Sequence, residues 1–423
     1  MALTPGRAAG VVVSRWLPAH NPLTIAFAGA AALAVAMGIG RFAFTPILPM
    51  MLANGVLDLA QASFLASANY LGYLLGALLC TVQPLLWARW PGWPRWQFVT
   101  LIRSGLVATG ALTLAMALDV PGAWAGLRFA AGVASAVVFV FTSGWCMSQL
   151  ALRGAPALGG LIYVGPGAGI VASGLLAGGM VGLHWRAATA WCVLGVLAFV
   201  LTALVWRLFG AGGDRLAPPA APTQPAGHTQ LGRFALPVLA FAYGLAGFGY
   251  IVSATFLPVI ARAALPGSAW LDLFWPMFGA GIMAGSVLAT RIPARVDRRW
   301  LLAGCYLMQA AGVVCSLLSP TLGGFAAGSL LLGLPFTAIT FFAMQEVRRL
   351  RPEAAASLIG LLTAFYGVGQ ILGPPMVAVL MRYTPSAAAG FSWSLQVAAC
   401  ALLVGAVLFV GLARAYPLAV GSR

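Results

Sequence analysis

The sequence has no lysine; all 23 basic residues are arginine. Together with its richness in alanine and glycine, this marks a GC-rich bacterial genome rather than a particular chemistry. Acidic residues number only 7 in 423, and charged residues of all kinds make up 7%. A soluble domain carries about 25% charged residues, so that class is excluded. The six cysteines (80, 146, 192, 305, 315 and 400) lie in apolar runs without metal or redox spacing, which predicts buried, reduced thiols and no metal site. Carboxylates and imidazoles are missing from the middles of those runs. Asp58, Asp119, Asp272, Asp214, Asp297, Glu346 and Glu353 sit at run ends or loops, and His20, His184 and His228 lie outside the runs. No acid–base or metal-ligand cluster is left to support a membrane enzyme, and no cofactor is expected. The first 21 residues lack the short apolar core and small-residue cleavage site of a signal peptide.

What the chain does have is apolar length. It is 61% hydrophobic, with a mean hydropathy of +0.97. Because about twenty apolar residues span a bilayer, the pattern predicts twelve helices. In the first half they cover 22–51, 59–83, 97–118, 122–149, 157–182 and 187–209. In the second they cover 233–261, 270–291, 300–319, 321–346, 355–381 and 389–413. The fold class is an all-α membrane protein with twelve transmembrane helices in two pseudo-symmetric six-helix halves. Residues 1–209 form the first half and 233–423 the second. The Pro/Ala/Gly-rich stretch 210–232 reads as a flexible linker on the cytoplasmic side.

The net charge of +16 is not a nucleic-acid signal, because the arginines are spread between apolar runs. They are asymmetric instead. With the N-terminus inside, Arg186, Arg262 and Arg382 fall outside; Arg41, Arg103 and Arg128 fall within spans; and the other arginines fall inside. That distribution satisfies the positive-inside rule and places both termini in the cytoplasm. The run Trp87-Ala-Arg-Trp90-Pro-Gly-Trp93-Pro-Arg-Trp96 reads as an interfacial aromatic belt with basic anchors.

The first span carries Gly38-Ile-Gly40-Arg41-Phe-Ala-Phe-Thr45-Pro46-Ile-Leu48-Pro49, an arginine deep in an apolar run. A charge there costs about 2.5–3.5 kcal/mol on insertion scales, so it faces a bundle interior or a water-filled cavity. The pattern returns 209 positions later, where Gly247, Gly249, Leu257 and Pro258 match Gly38, Gly40, Leu48 and Pro49, and Tyr250 stands at the position of Arg41. Gly72 and Gly76 match Gly281 and Gly285 at the same offset. Gly160, Gly167 and Gly169 match Gly360, Gly367 and Gly369 at an offset of 200. Two like-oriented halves of six helices describe a parallel repeat.

On these repeats and this topology the chain resembles a major facilitator superfamily (MFS) transporter over its full length. The Arg41 stretch, with Ala68-Asn69-Tyr70-Leu-Gly72-Tyr73 after it, is similar to the YbfB/YjiJ-type branch. The resemblance implies a secondary carrier of the bacterial inner membrane whose central cavity is lined by spans 1, 4, 7 and 10. Arg128-Phe-Ala-Ala-Gly132 is similar to the Arg-x-x-x-Gly pattern of proton-coupled members. Gly165-Pro166-Gly-Ala-Gly169 resembles the Gly-Pro motif of antiporters, with Ile170 in place of its last glycine. The aspartate of the loop after span 2 is absent, which argues against the usual charge relay between halves.

A secondary transporter of a small solute is therefore expected, working as a monomer in the lipid bilayer, with protons or a counter-substrate as possible coupled species. An organic anion or zwitterion would bind through Arg41, with Tyr73, Arg128, Tyr243, Tyr250, Thr337, Gln345 and Gln370 as further candidates. The alternative is an exporter of amphiphilic, drug-like compounds resting on aromatic and Met-rich walls. Asp272, then Glu346, are the candidate proton-coupling acids. Gly38, Gly40, Pro49, Gly165, Pro166, Gly169, Gly247, Gly249 and Pro258 are expected to serve packing or gating.

Overall fold

The computed structural model describes residues 21–90, 92, 96–118, 120–210, 235–268, 270–293, 295–350 and 355–417. Residues 211–232 of the expected linker, the first 20 residues, and residues 91 and 93–95 of the Trp87–Trp96 run lie outside the described residues. Among the described residues, twelve helices are long and apolar enough to cross a membrane. They are α1 (Pro22–Ala53), α2 (Leu59–Arg89), α3 (Phe98–Ala115), α4 (Pro121–Leu152), α5 (Pro156–Gly182) and α6 (Ala187–Gly210) in the first half. The second half holds α7 (Ala235–Ala264), α8 (Leu271–Thr290), α9 (Arg298–Leu318), α10 (Leu322–Leu350), α11 (Ala355–Tyr383) and α12 (Ala387–Ala415).

Local chemistry sets several of the starts. Asn21 accepts from the Leu23 N–H ahead of Pro22 at the first helical position. Asp58 and Gln61 form a reciprocal capping box at α2, which assigns one of the seven acids to a helix end. Thr321 and Ser386 cap α10 and α12 one way only, accepting from the Gly324 and Ala389 N–H. The predicted spans differ from the helices by a few residues, except that α2 continues to Arg89 rather than stopping at 83. The expectation that every cysteine is buried is corrected. All six are unpaired, but only Cys146 is buried; Cys80, Cys305 and Cys315 are half-buried, and Cys192 and Cys400 are exposed on helices whose other exposed side chains, such as Val196 and Val404, are apolar.

The two halves repeat contact by contact. A Cβ on Gly167 would fall 2.7 Å from Met283 Cγ, between α5 and α8. A Cβ on Gly367 would fall 2.9 Å from Leu74 Cδ1, between α11 and α2. Gly160 meets Thr290, and Gly360 meets Thr81, in the same pair of interfaces. Each contact maps onto its twin by the offsets of 200 and 209 read in the sequence. Gly38 likewise lies against Gly169, and Gly247 lies near Gly369. Small residues let backbones approach closely where lipid supplies no hydrophobic drive between helices.

The α2–α11 and α5–α8 seams run along the whole bundle. We call the end where α1 begins and α12 ends the terminus face, and the opposite end the far face. Toward the far face, Phe44–Ala53 of α1 packs on α7. Toward the terminus face, Pro22–Leu33 of α1 has no packed interface with α7, nor has α4 with α10. The halves are thus closed at the far face and parted at the terminus face.

Candidate functional site

The site begins with a defect in α1. Its first part, Pro22–Leu33, is α-helical; Ala34–Arg41 is π-helical; Phe44–Ala53 is α-helical again. The Phe42 N–H reaches back five residues to Met37 O at 3.0 Å, and the Thr45 N–H turns to Phe42 O at 3.2 Å. Pro46 has no N–H to offer. Carbonyls displaced from the regular ladder in this way must find partners elsewhere in a membrane interior. Arg128 of α4 supplies them, donating from Nη1 to Gly40 O at 3.2 Å and from Nη2 to Arg41 O at 2.9 Å. Ser135, two turns along, donates to Ala36 O at 2.7 Å. Arg128 is only 2% exposed, so it is held inside the bundle and does not reach for the membrane surface.

The defect presents the Arg41 side chain to the seam between the halves. Its Nη2 donates to Gln370 Oε1 of α11 at 2.6 Å, and Gln370 Nε2 donates onward to the Tyr250 hydroxyl of α7. Tyr250, the repeat twin of Arg41, thus answers it through one glutamine. The Arg41 guanidinium lies 3.8 Å from the Tyr73 ring centroid and 5.4 Å from those of Tyr70 and Phe42, a cation–π setting. Arg41 is 3% exposed, and its Nε, like that of Arg128, is buried without a hydrogen-bond partner. Among the described residues no carboxylate pairs with either guanidinium.

Aromatic rings surround this point. Tyr73 meets Phe139 at 6.5 Å, and Phe139 meets Tyr163 at 6.1 Å. From the other half, Tyr250 stacks on Tyr366 at 5.9 Å and 22°, and Tyr366 lies 4.9 Å from Tyr243. Tyr73, Phe139, Tyr163 and Tyr366 are half-buried, on the side where the halves part.

Arg41, Tyr73, Tyr250 and Gln370 are therefore brought together, with Arg128 directly behind them on the α1 backbone. Tyr243 donates to Thr340 at 3.1 Å within the same wall. Thr337 bonds Ser286 at 2.8 Å, and the buried Gln345 Oε1 has no partner; both lie nearer the terminus face. The sequence reading missed Tyr70, whose hydroxyl bonds Thr255 across the seam at 2.9 Å, and Tyr366. A usable signal existed for each. Tyr70 sits one turn before Tyr73, and Tyr366 one turn before Gln370, so each shares a helix face with a candidate.

The two candidate proton-coupling acids lie elsewhere. Asp272, opening α8, is ion-paired with Arg262 at the end of α7. Glu346, fully buried near the end of α10, accepts from Arg349 at 2.6 and 2.9 Å and lies 3.6 Å from Arg299. Arg299 also donates to Asp297 and to the α12 carbonyls of Leu412 and Tyr416. This network joins α9, α10 and the end of α12, and among the described residues the ion pairs all lie inside the second half. Burial pushes the Asp297 carboxyl up, but the side-chain and backbone hydrogen bonds of Arg299 outweigh it and hold the group below its ordinary value. Arg103 donates twice to Trp206 O and caps α6.

A family model described as "Uncharacterised MFS-type transporter YbfB" matches residues 33–410. A comparison with curated proteins finds no match. Among solved structures, a bacterial homolog of the human lysosomal transporter Spinster, inward-facing and unoccupied, superposes with a TM-score of 0.68. It is 15% identical, over 93% of this chain and 97% of that one. The nucleoside transporter NupG, in a mutant form, also superposes at 0.68, with 14% identity over 92% and 99% of the two chains. At those identities both likenesses speak for the fold alone.

Proposed function

Because the chain belongs to the YbfB-type family of MFS transporters, we propose that it carries a small organic anion or zwitterion across the bacterial inner membrane. The observation that supports the anion is Arg41. Its guanidinium is buried, pairs with no carboxylate among the described residues, and keeps one N–H unsatisfied. A buried charge without a partner is costly, and an anionic ligand removes that cost where a cation would add to it. The alternative of amphiphile export draws on the aromatic wall, which Arg41 makes hostile to the cationic members of that class.

The transport cycle follows from the seams. Two repeated halves closed at the far face and parted at the terminus face suit a rocker motion about a site at mid-depth. The arginine bias assigns the terminus face to the cytoplasm, so the conformer described here receives ligand from inside. Anion binding at Arg41 competes with Gln370, which belongs to the other half.

Arg41→Lys is the test. An ammonium keeps the charge but lacks the planar edge that meets a carboxylate bidentately. In proteoliposomes this variant should lose uptake of the anionic substrate by about tenfold or more, with an unchanged melting temperature. Transport at the wild-type rate would remove Arg41 from the binding site.

A further inference from the structure

We infer that the Arg41 site is built for an aromatic monocarboxylate, and that Gln370 occupies the carboxylate position while the site is empty. This rests on the anion reading above and goes further in naming the chemical class.

The guanidinium comes first. Nε and Nη2 share one edge of the group, the edge that a carboxylate meets with both oxygens. Nη2 donates to Gln370 Oε1 at 2.6 Å, while Nε is buried and has no partner. A single amide oxygen therefore satisfies half of an edge that two carboxylate oxygens would complete. Gln370 has somewhere to go when displaced, because its other end already bonds the Tyr250 hydroxyl.

The second element is the number of cations. Arg128 is the nearest other guanidinium, and it is committed to Gly40 O and Arg41 O. Only one cationic edge is available, so a second carboxylate or a phosphate dianion would be buried unpaired. That selects a monoanion.

The third element is the wall. Tyr73 covers the face of the guanidinium at 3.8 Å and continues into Phe139. The facing half presents Tyr366 between Tyr250 and Tyr243, the first pair nearly parallel. A ligand whose carboxylate reached Arg41 would meet these rings, and a flat ring stacks on them where a puckered one does not.

The test titrates purified full-length protein in nanodiscs by calorimetry with benzoate, cyclohexanecarboxylate, phthalate and benzamide. Benzoate should bind roughly threefold to tenfold tighter than cyclohexanecarboxylate. Phthalate should bind no tighter than benzoate, and benzamide, with one acceptor oxygen, at least about tenfold weaker. Gln370→Ala should tighten benzoate, since the competing amide is gone. Tyr73→Leu should abolish the gap between benzoate and cyclohexanecarboxylate while its thermal transition stays intact. Equal affinities for those two acids in the wild type would overturn the aromatic assignment and leave the anion reading standing. Benzamide binding as tightly as benzoate would overturn the anion reading itself. Absence of benzoate binding by folded protein, tighter binding of phthalate, or unchanged benzoate affinity in Gln370→Ala would each overturn the inference.

Discussion

Thr45 donates a hydrogen bond at 2.7 Å to the carbonyl of Ala254, and the two residues are 209 positions apart. That separation is the offset of the internal repeat, so Thr45 touches its own structural twin. Two equivalent points of a duplicated structure meet only on the axis that relates them. The α1–α7 crossing at the far face is thus where the pseudo-twofold axis passes between the halves, and the seam there is the closed end of the bundle.

A crosslinking experiment follows from this position. In a background with the six native cysteines replaced, Thr45→Cys with Ala254→Cys should crosslink in the conformer described here. Gly144→Cys on α4 with Gln345→Cys on α10 should crosslink only in the opposite conformer, because those helices are parted. Ligand should change the two yields in opposite directions. Both pairs closing together in one molecule would contradict alternating access.

Glycine contacts give a prediction about stability. A side chain at Gly167 would fall 2.6 Å from the carbonyl oxygen of Gly279 and 2.7 Å from Met283. Gly167→Val should therefore cost about 1–3 kcal/mol by overpacking, seen as a lowered melting temperature. Gly144→Ala, with no atom within 4 Å of the added carbon, should not show that loss. Equal melting of both variants with the wild type would mean that the α5–α8 seam is looser than its geometry.

Much of this architecture was legible in the sequence, because bilayer thickness forces span length and the repeat displays itself as glycines at fixed offsets. Arg41, Gly38 and Gly169 were readable for the same reason: a charge or a missing side chain in an apolar run has few explanations. The π-helical turn at Ala34–Arg41 was not readable, since it depends on which carbonyls Arg128 and Ser135 reach from another helix. The pairing of Gln370 with Arg41 spans 329 residues, and nothing local marks it. Tyr366 is marked only by sharing a helix face with Gln370, since taken alone an aromatic residue in an apolar span looks the same whether it faces lipid or a binding site.

Asp297 gives a pH prediction. Its folded-state value is lowered, so it contributes stability that is present above the unfolded value of about 3.9 and lost as pH falls through the folded one. Melting temperature should fall on acidification across that window, and Asp297→Asn should flatten this part of the profile. The Arg299 hydrogen bonds to Leu412 O and Tyr416 O do not depend on the carboxylate and should persist.

Energy coupling gives the last prediction. Among the described residues no carboxylate reaches Arg41, and the two acids that could exchange protons with water near the bundle ends are both engaged. Asp272 is paired with Arg262, with each side chain about a quarter exposed. Such a pair contributes about 0–1 kcal/mol, so Asp272→Asn should fold normally. Glu346 is fully buried against Arg349 and Arg299, and removing its charge leaves the part-exposed Arg349 without a carboxylate and Arg299 with Asp297 alone, at a cost of about 1.5–3 kcal/mol. Glu346→Gln should therefore melt early, and its transport must be compared per folded molecule. In proteoliposomes with an imposed pH gradient, we expect both variants to retain the gradient dependence of the wild type, because neither acid touches the Arg41 site and each is tied to its own arginine. Loss of gradient-driven uptake with intact counterflow in Asp272→Asn would instead make the Arg262–Asp272 pair a proton gate, opened and closed once per cycle.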